Sequence, residues 1–211
     1  PVIGAVAASL IIPGLSVGLM QASRNLERGQ AIGIQTLYGG LKENTKTLIA
    51  LGALYLVCTL GILGISALSD GGDLLNFMLS GKKADRETIE EGNFFLPALI
   101  VMLLMTPVMM AYWFAPILAA WHKLTLGRAL FFSIVACWIN WRPFLSYGIG
   151  LLLVAGIIPG LLLGVLLALF PGAQGFITAL ITMPMLLAVG PTIYASFYAS
   201  YRDIFGISEI V

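Results

Sequence analysis

The sequence predicts an all-α fold, a polytopic transmembrane helical bundle forming a single domain over residues 1–211. Three observations predict it. Of the 211 residues, 59% are apolar and only 10% are charged, where a soluble domain carries about 25% charged residues. The mean hydropathy is +0.99. Five long stretches, 2–20, 47–67, 94–121, 143–170 and 175–201, hold no Asp, Glu, Lys or Arg. A soluble globular domain, a disordered chain and a nucleic-acid binder are excluded on this composition. The net charge of +1 names no partner.

Each of the five stretches is close to or longer than the roughly 20 residues that carry a helix across about 30 Å of hydrocarbon. None alternates with period two over about ten residues, as a membrane strand would. The third, fourth and fifth exceed the crossing length by about two turns, so they should tilt, kink or project into water. The chain starts at Pro1 with apolar residues and no basic leader. A signal peptide is a poor reading of that start, and an upstream span is expected, which would give six in all.

A sixth apolar run, 129–141, has 13 residues. As a helix it would be about 20 Å long, too short to cross. Basic residues Lys123, Arg128 and Arg142 flank it. It is predicted to be a re-entrant or interfacial helix, with Thr125 as its N-cap.

Orientation follows from the basic residues. The segment 22–46 carries Arg24, Arg28, Lys42 and Lys46, and the segment 122–142 carries Lys123, Arg128 and Arg142 with no acid. The tail carries Arg202. The loop 69–93 holds six acids against Lys82, Lys83 and Arg86. Placing 22–46, 122–142 and the tail inside puts eight Lys/Arg inside and three outside. Trp121, Trp138 and Trp141 then stand beside the inner charges, as an interfacial belt should. The expected location is the bacterial inner membrane, with a cytoplasmic C-terminus. The outer loop is expected to hold a short amphipathic helix at 74–80. Asp70 and Asp73 flank two glycines but do not follow the EF-hand spacing.

Lipid supplies no hydrophobic drive between helices, so bundles close at small residues and a few polar contacts. Helix-packing faces are predicted at Gly14 and Gly18, at the doubled GxxxG of Gly156, Gly160 and Gly164, and at Ala195 and Ala199. Seven prolines fall within spans: Pro13, Pro97, Pro107, Pro116, Pro159, Pro184 and Pro191. Each removes a backbone donor and frees a carbonyl one turn earlier, which predicts kinked packing helices. Residues 11–18 read IIPGLSVG and 157–164 read IIPGLLLG, a weak echo of the inverted repeats of transporters.

Little in the chain can do chemistry. No span holds an ionisable carboxylate, Lys, Arg or His, which counts against a proton-coupled carrier. His122 is the sole histidine, at the inner interface. A lone histidine makes neither a zinc site nor a triad, and Asp203 is the one acid available to pair with it. Met102, Met105 and Met109 share a face, but without Cys or His nearby they read as packing. Cys58 and Cys137 read as small buried hydrophobes, not a disulfide or metal pair. No catalytic residue, metal or cofactor is expected. Tyr194, Tyr198 and Tyr201 form one helical stripe, with Ser196 and Ser200 on another. With Arg142 and Arg202, the tyrosines are candidate lipid or ligand contacts.

The stretches YWFAPILAAWHKLTLGRALFFSIVACWINWRPFLSYG (112–148), YASFYASYRDIFG (194–206) and PGLSVGLMQASRNLERGQ (13–30) resemble an uncharacterised family of proteobacterial six-span inner-membrane proteins. The resemblance extends over most of the chain. That family is distantly similar to the membrane domain attached to some glycerophosphodiester phosphodiesterases. The resemblance implies a helical bundle with both termini inside. It implies no catalysis, because the catalytic module of those enzymes is separate. The expected function is a non-enzymatic accessory or scaffold component that packs against lipids and other membrane proteins. The rival reading is a transporter or channel for a lipid or small neutral solute. A membrane enzyme built on His122 and Asp203 is the third.

Overall fold

A computed structural model describes residues 2–72 and 95–206. Most of the outer loop, with Asp73 and the helix expected at 74–80, lies outside the described residues. Helices joined by short turns and irregular segments make up the described residues, with no strand among them. In chain order the helices are α1 (Val2–Glu27), α2 (Ile34–Lys42), α3 (Thr45–Asp70), α4 (Phe95–Trp113), α5 (Ala115–Trp121), α6 (Leu126–Ile139), α7 (Trp141–Leu151), α8 (Ile158–Leu169) and α9 (Gln174–Phe205). A π-helical turn, Leu152–Ile157, joins α7 to α8.

Five candidate membrane spans emerge by length and composition: Val6–Glu27, Thr45–Asp70, Phe95–Trp121, Trp141–Leu169 and Gln174–Phe205. Each overlaps one of the five predicted stretches, and the second and fifth extend beyond the prediction at both ends. The first runs about two turns beyond residue 20. The fourth starts at Trp141, so that tryptophan opens a span instead of closing the short helix before it. The short helix also begins earlier than predicted. It starts at Leu126, directly after Thr125, whose carbonyl accepts from the Ala129 N–H at 2.9 Å.

Contacts divide the chain into two compact units, Pro1–Leu15 with Leu41–Val135, and Ser16–Gly40 with Ala136–Val211. The first unit is built on α3 against α4 and α5. Leu48, Leu51, Ile117 and Leu118 are buried there. Gly52 makes the closest approach: a Cβ at that position would stand 2.8 Å from Leu10 Cα and press on the Ser9 carbonyl. Backbones therefore meet at a glycine that belongs to no GxxxG.

The third span is broken where its length and prolines predict a kink. Phe114 separates α4 from α5, and Pro116 stands in the first turn of α5. In an unbroken helix the Phe114 N–H would bond to the Met110 carbonyl. Here Ser133 of α6 occupies the gap. Its Oγ accepts from Phe114 N at 2.9 Å and donates to Met110 O at 2.7 Å. Ser133 and Phe114 are both fully buried. An inserted side chain is a recognised cause of a helix kink, and this one leaves both backbone groups bonded.

A second polar clasp closes the far end of the same unit. Asn44 adopts a left-handed conformation, φ 46°, which Asn tolerates better than most residues. Its Nδ2 donates to Ala119 O at 2.9 Å and to Leu124 O at 3.3 Å, while Thr47 Oγ1 donates to its Oδ1 at 2.9 Å. Ala119 O belongs to the last turn of α5, where carbonyls lack helical partners.

In the second unit α8 packs on α9. Pro159 has no N–H to offer the Ala155 carbonyl, and its ring crowds that carbonyl. The helix responds with π geometry: Ile158 N–H bonds to Leu153 O, five residues back.

Candidate functional site

The packing glycines separate into two groups. Gly14 and Gly18 meet α2: a Cβ on Gly14 would stand 3.3 Å from Leu41 Cα, and one on Gly18 would press on the Leu37 carbonyl. The neighbour is a short helix, not another long span. Gly160 and Gly164 have no heavy atom within 4 Å of a built Cβ, and Gly156 meets only Leu152 of its own helix. The predicted contact at these three is not made with the described residues. The π turn ends between Gly156 and Gly160, and Gly160 and Gly164 lie together on α8.

The second unit holds a cavity of about 520 Å³ between α7 and the C-terminal part of α9. That volume suits a small-molecule or headgroup site. From α9, Ser196, Ala199, Ser200 and Asp203 line it, at i, i+3, i+4 and i+7. The predicted small-residue pair therefore contributes Ala199 to a cavity wall, and Ala195 is exposed. Pro143, Phe144 and Ile204 supply apolar walls, and Asn140 and Tyr147 supply polar ones.

Proton accounting defines the polar walls. Ser196 Oγ donates its hydrogen to Ile193 O at 2.8 Å. The 2.8 Å contact between Tyr147 Oη and Ser196 Oγ is then donated by the phenol, since the serine has one hydrogen. Asn140 spends an amide hydrogen on Ala136 O at 2.9 Å. These three groups are held in place by bonds within their own unit. Asp203 is the one ionisable carboxylate on the lining, and its side chain is largely exposed.

The tyrosine stripe lies elsewhere. Tyr198 Oη donates to Glu27 Oε2 at 2.6 Å, and Arg202 forms an ion pair with the other oxygen of Glu27. Tyr201 is buried and stacks on Phe205 with centroids 5.4 Å apart. Tyr194 is half-buried. None of the three lines the cavity. Arg142 lies over the Trp141 ring at 5.4 Å, a cation–π arrangement. Arg202 also reaches Asp203 at 3.6 Å.

Sequence reasoning chose the tyrosines because three aromatics at helical spacing stand out. It passed over Asn140, Phe144 and Tyr147. The serine stripe carried the missed signal: two hydroxyls four residues apart, followed by Asp203.

Among the described residues no three His, Cys, Asp or Glu side chains group as metal ligands. Cys58 and Cys137 are not joined in a disulfide. Met102 and Met109 are exposed on α4. In the first unit Tyr55 and Tyr112 meet edge to face, centroids 5.2 Å apart. Thr59 Oγ1 and Tyr112 Oη are buried there with no hydrogen-bond partner among the described residues.

Comparison with known proteins decides the family. The chain is 38% identical over 216 aligned positions to a probable inner membrane protein of Burkholderia thailandensis, covering 99% of this chain and 78% of the relative. The chain belongs to that protein's family. It is a membrane protein, and its apolar helices fit the relative's inner-membrane designation. No family model matches the chain, and no solved structure matches it.

Proposed function

We propose that this family member is a non-enzymatic accessory or scaffold component of the bacterial inner membrane, with its C-terminus in the cytoplasm. The observation that carries the reading is the uncovered surface of its last two spans. None of the most apolar 18-residue window of Trp141–Leu169 or of Gln174–Phe205 is buried within the chain. Lipid alone can cover apolar side chains. The open backbone at Gly160 and Gly164 is what a second helix uses for close approach, so the occupants we propose are lipids and other membrane proteins. The eight inner Lys/Arg against three outer ones support the orientation. Nucleic acid is not a partner in this reading.

The test is affinity purification from native membranes in mild detergent. A stoichiometric membrane partner is expected, and its loss in Gly164→Leu. Recovery of a solitary monomer would overturn the role.

A second reading, carriage of a lipid or small neutral solute, is favoured by the 520 Å³ cavity with mixed polar and apolar walls. Flux of such a solute in proteoliposomes would establish it, and a sealed bilayer would remove it.

A further inference from the structure

Asn44 draws two turns together at one end of the first unit. Its Nδ2 donates to Ala119 O and Leu124 O, so the turn between α2 and α3 is held against the turn between α5 and α6. Each turn contains a left-handed residue, Asn44 at φ 46° and Lys123 at φ 51°. Lys42 and Lys46 belong to the first turn, Lys123 to the second, and Arg128 to the first turn of α6. All four cations are exposed, and none forms an ion pair with a described residue. Glu43 is the one acid on these turns, and no Asp or Glu occurs between Glu91 and Asp203. Cations gathered on two joined turns reinforce one another over a Debye length of about 8–10 Å.

α6 continues this charged patch as an apolar face. Ala129 and Ser133 turn one side of the helix into the unit and are fully buried. Arg128, Phe131 and Phe132, at i, i+3 and i+4, share another side. Phe131 is 61% exposed and Phe132 45%, and their rings meet edge to face with centroids 5.8 Å apart. A phospholipid has the matching order, an anionic headgroup followed by acyl chains. An acidic protein segment would supply the charge but no hydrocarbon for the two phenylalanines.

We propose that the clasped turns and the start of α6 form a binding site for an anionic phospholipid. Lys123 and Arg128 hold its phosphate, Lys42 and Lys46 add to the positive field, and Phe131 and Phe132 cover an acyl chain. Zwitterionic lipids offer the same chains without the net charge, so the site selects by headgroup charge. The proposal deepens the lipid-packing part of the reading above and rests on its orientation, which puts these turns at the inner leaflet. It needs no protein partner.

The experiment uses the full chain, delipidated in detergent, and measures lipid binding by native mass spectrometry. Dioleoyl phosphatidylglycerol, phosphatidylcholine and phosphatidylethanolamine are added separately, with a hexaglutamate peptide as a fourth arm. Phosphatidylglycerol should bind at least about ten-fold more tightly than the two zwitterionic lipids. Each lost cation should weaken it about five-fold, and Lys123→Gln with Arg128→Gln about 30-fold. Phe131→Ala with Phe132→Ala leaves every charge in place and should weaken it several-fold. Arg24→Gln with Arg28→Gln removes the same charge from the second unit and should change binding less than about two-fold. All of these positions except Arg24 are exposed, and melting without lipid checks that each variant folds. Because the probe is a lipid in detergent, a negative result leaves the search for a protein partner untouched. Equal binding of the three lipids would overturn the proposal. So would equal losses from the Lys123/Arg128 and Arg24/Arg28 pairs, which would mean attraction to total charge. Hexaglutamate binding as tight as that of phosphatidylglycerol would point to an acidic protein and overturn it too.

Discussion

Removing the hydroxyl of Ser133 tests how the third span keeps its break. In Ser133→Ala the Phe114 N–H loses its 2.9 Å acceptor and the Met110 carbonyl loses its 2.7 Å donor. Both Ser133 and Phe114 are fully buried, so water cannot easily replace the hydroxyl. A stranded buried donor costs about 1–3 kcal/mol. The carbonyl retains a second lone pair and adds less. A loss of about 2 kcal/mol corresponds to about 4–8 °C in Tm for a chain of this size. The assay is thermal unfolding of the purified chain in detergent, with Ser146→Ala as the control at an exposed serine. The control should stay within about 0.5 kcal/mol of the parent. If Ser133→Ala melts together with the control, the hydroxyl does not hold the break. Direct Phe114 to Met110 bonding in a straightened helix would then be the better account.

Other substitutions separate the remaining contacts. Gly18→Ala should destabilise by about 1–3 kcal/mol, because the new methyl meets the Leu37 carbonyl; Gly160→Ala, in open space, should leave the Tm of the isolated chain unchanged or raise it slightly. Asn44→Gly keeps the left-handed backbone but removes the bonds to Ala119 and Leu124, and should cost about 1–2 kcal/mol in the same melt. Tyr112→Phe removes a buried hydroxyl that lacks a partner and should stabilise by about 1 kcal/mol; a loss of stability would show that the hydroxyl is bonded. In a cysteine-free background, a thiol placed at Gln174 should react with an impermeant reagent from outside and one at Gln35 should not; the opposite pattern would reverse the orientation.

The spans were legible because lipid imposes one demand, a long run without charge, that a single sequence displays directly. The break in the third span was legible in outline, through its excess length and Pro116. Its mechanism was not, since Ser133 is a lone serine in an apolar run and nothing local marks it as a bridge between Phe114 and Met110. Gly14 and Gly18 stand close against Leu41 and Leu37 of α2, which is drawn from a segment read as a connection. Gly160 and Gly164 meet no described residue, and spacing alone does not say whether a helix of this chain or of another protein comes against them. The cavity was missed for a related reason. Two stripes of α9 carry polar atoms, and only the rotation of the helix decides that Ser196, Ser200 and Asp203 line the space while Tyr198 turns to Glu27.

The central claim is that the uncovered face of α8 is a contact surface for another membrane protein. Leu161 and Val165 are exposed on it, beside Gly160 and Gly164. The direct measurement is site-specific photocrosslinking in native membranes, with a benzophenone amino acid at each of these positions. The account predicts a discrete protein adduct from both positions, abolished by Gly164→Leu. Adducts to lipid alone, unchanged by that substitution, would contradict it.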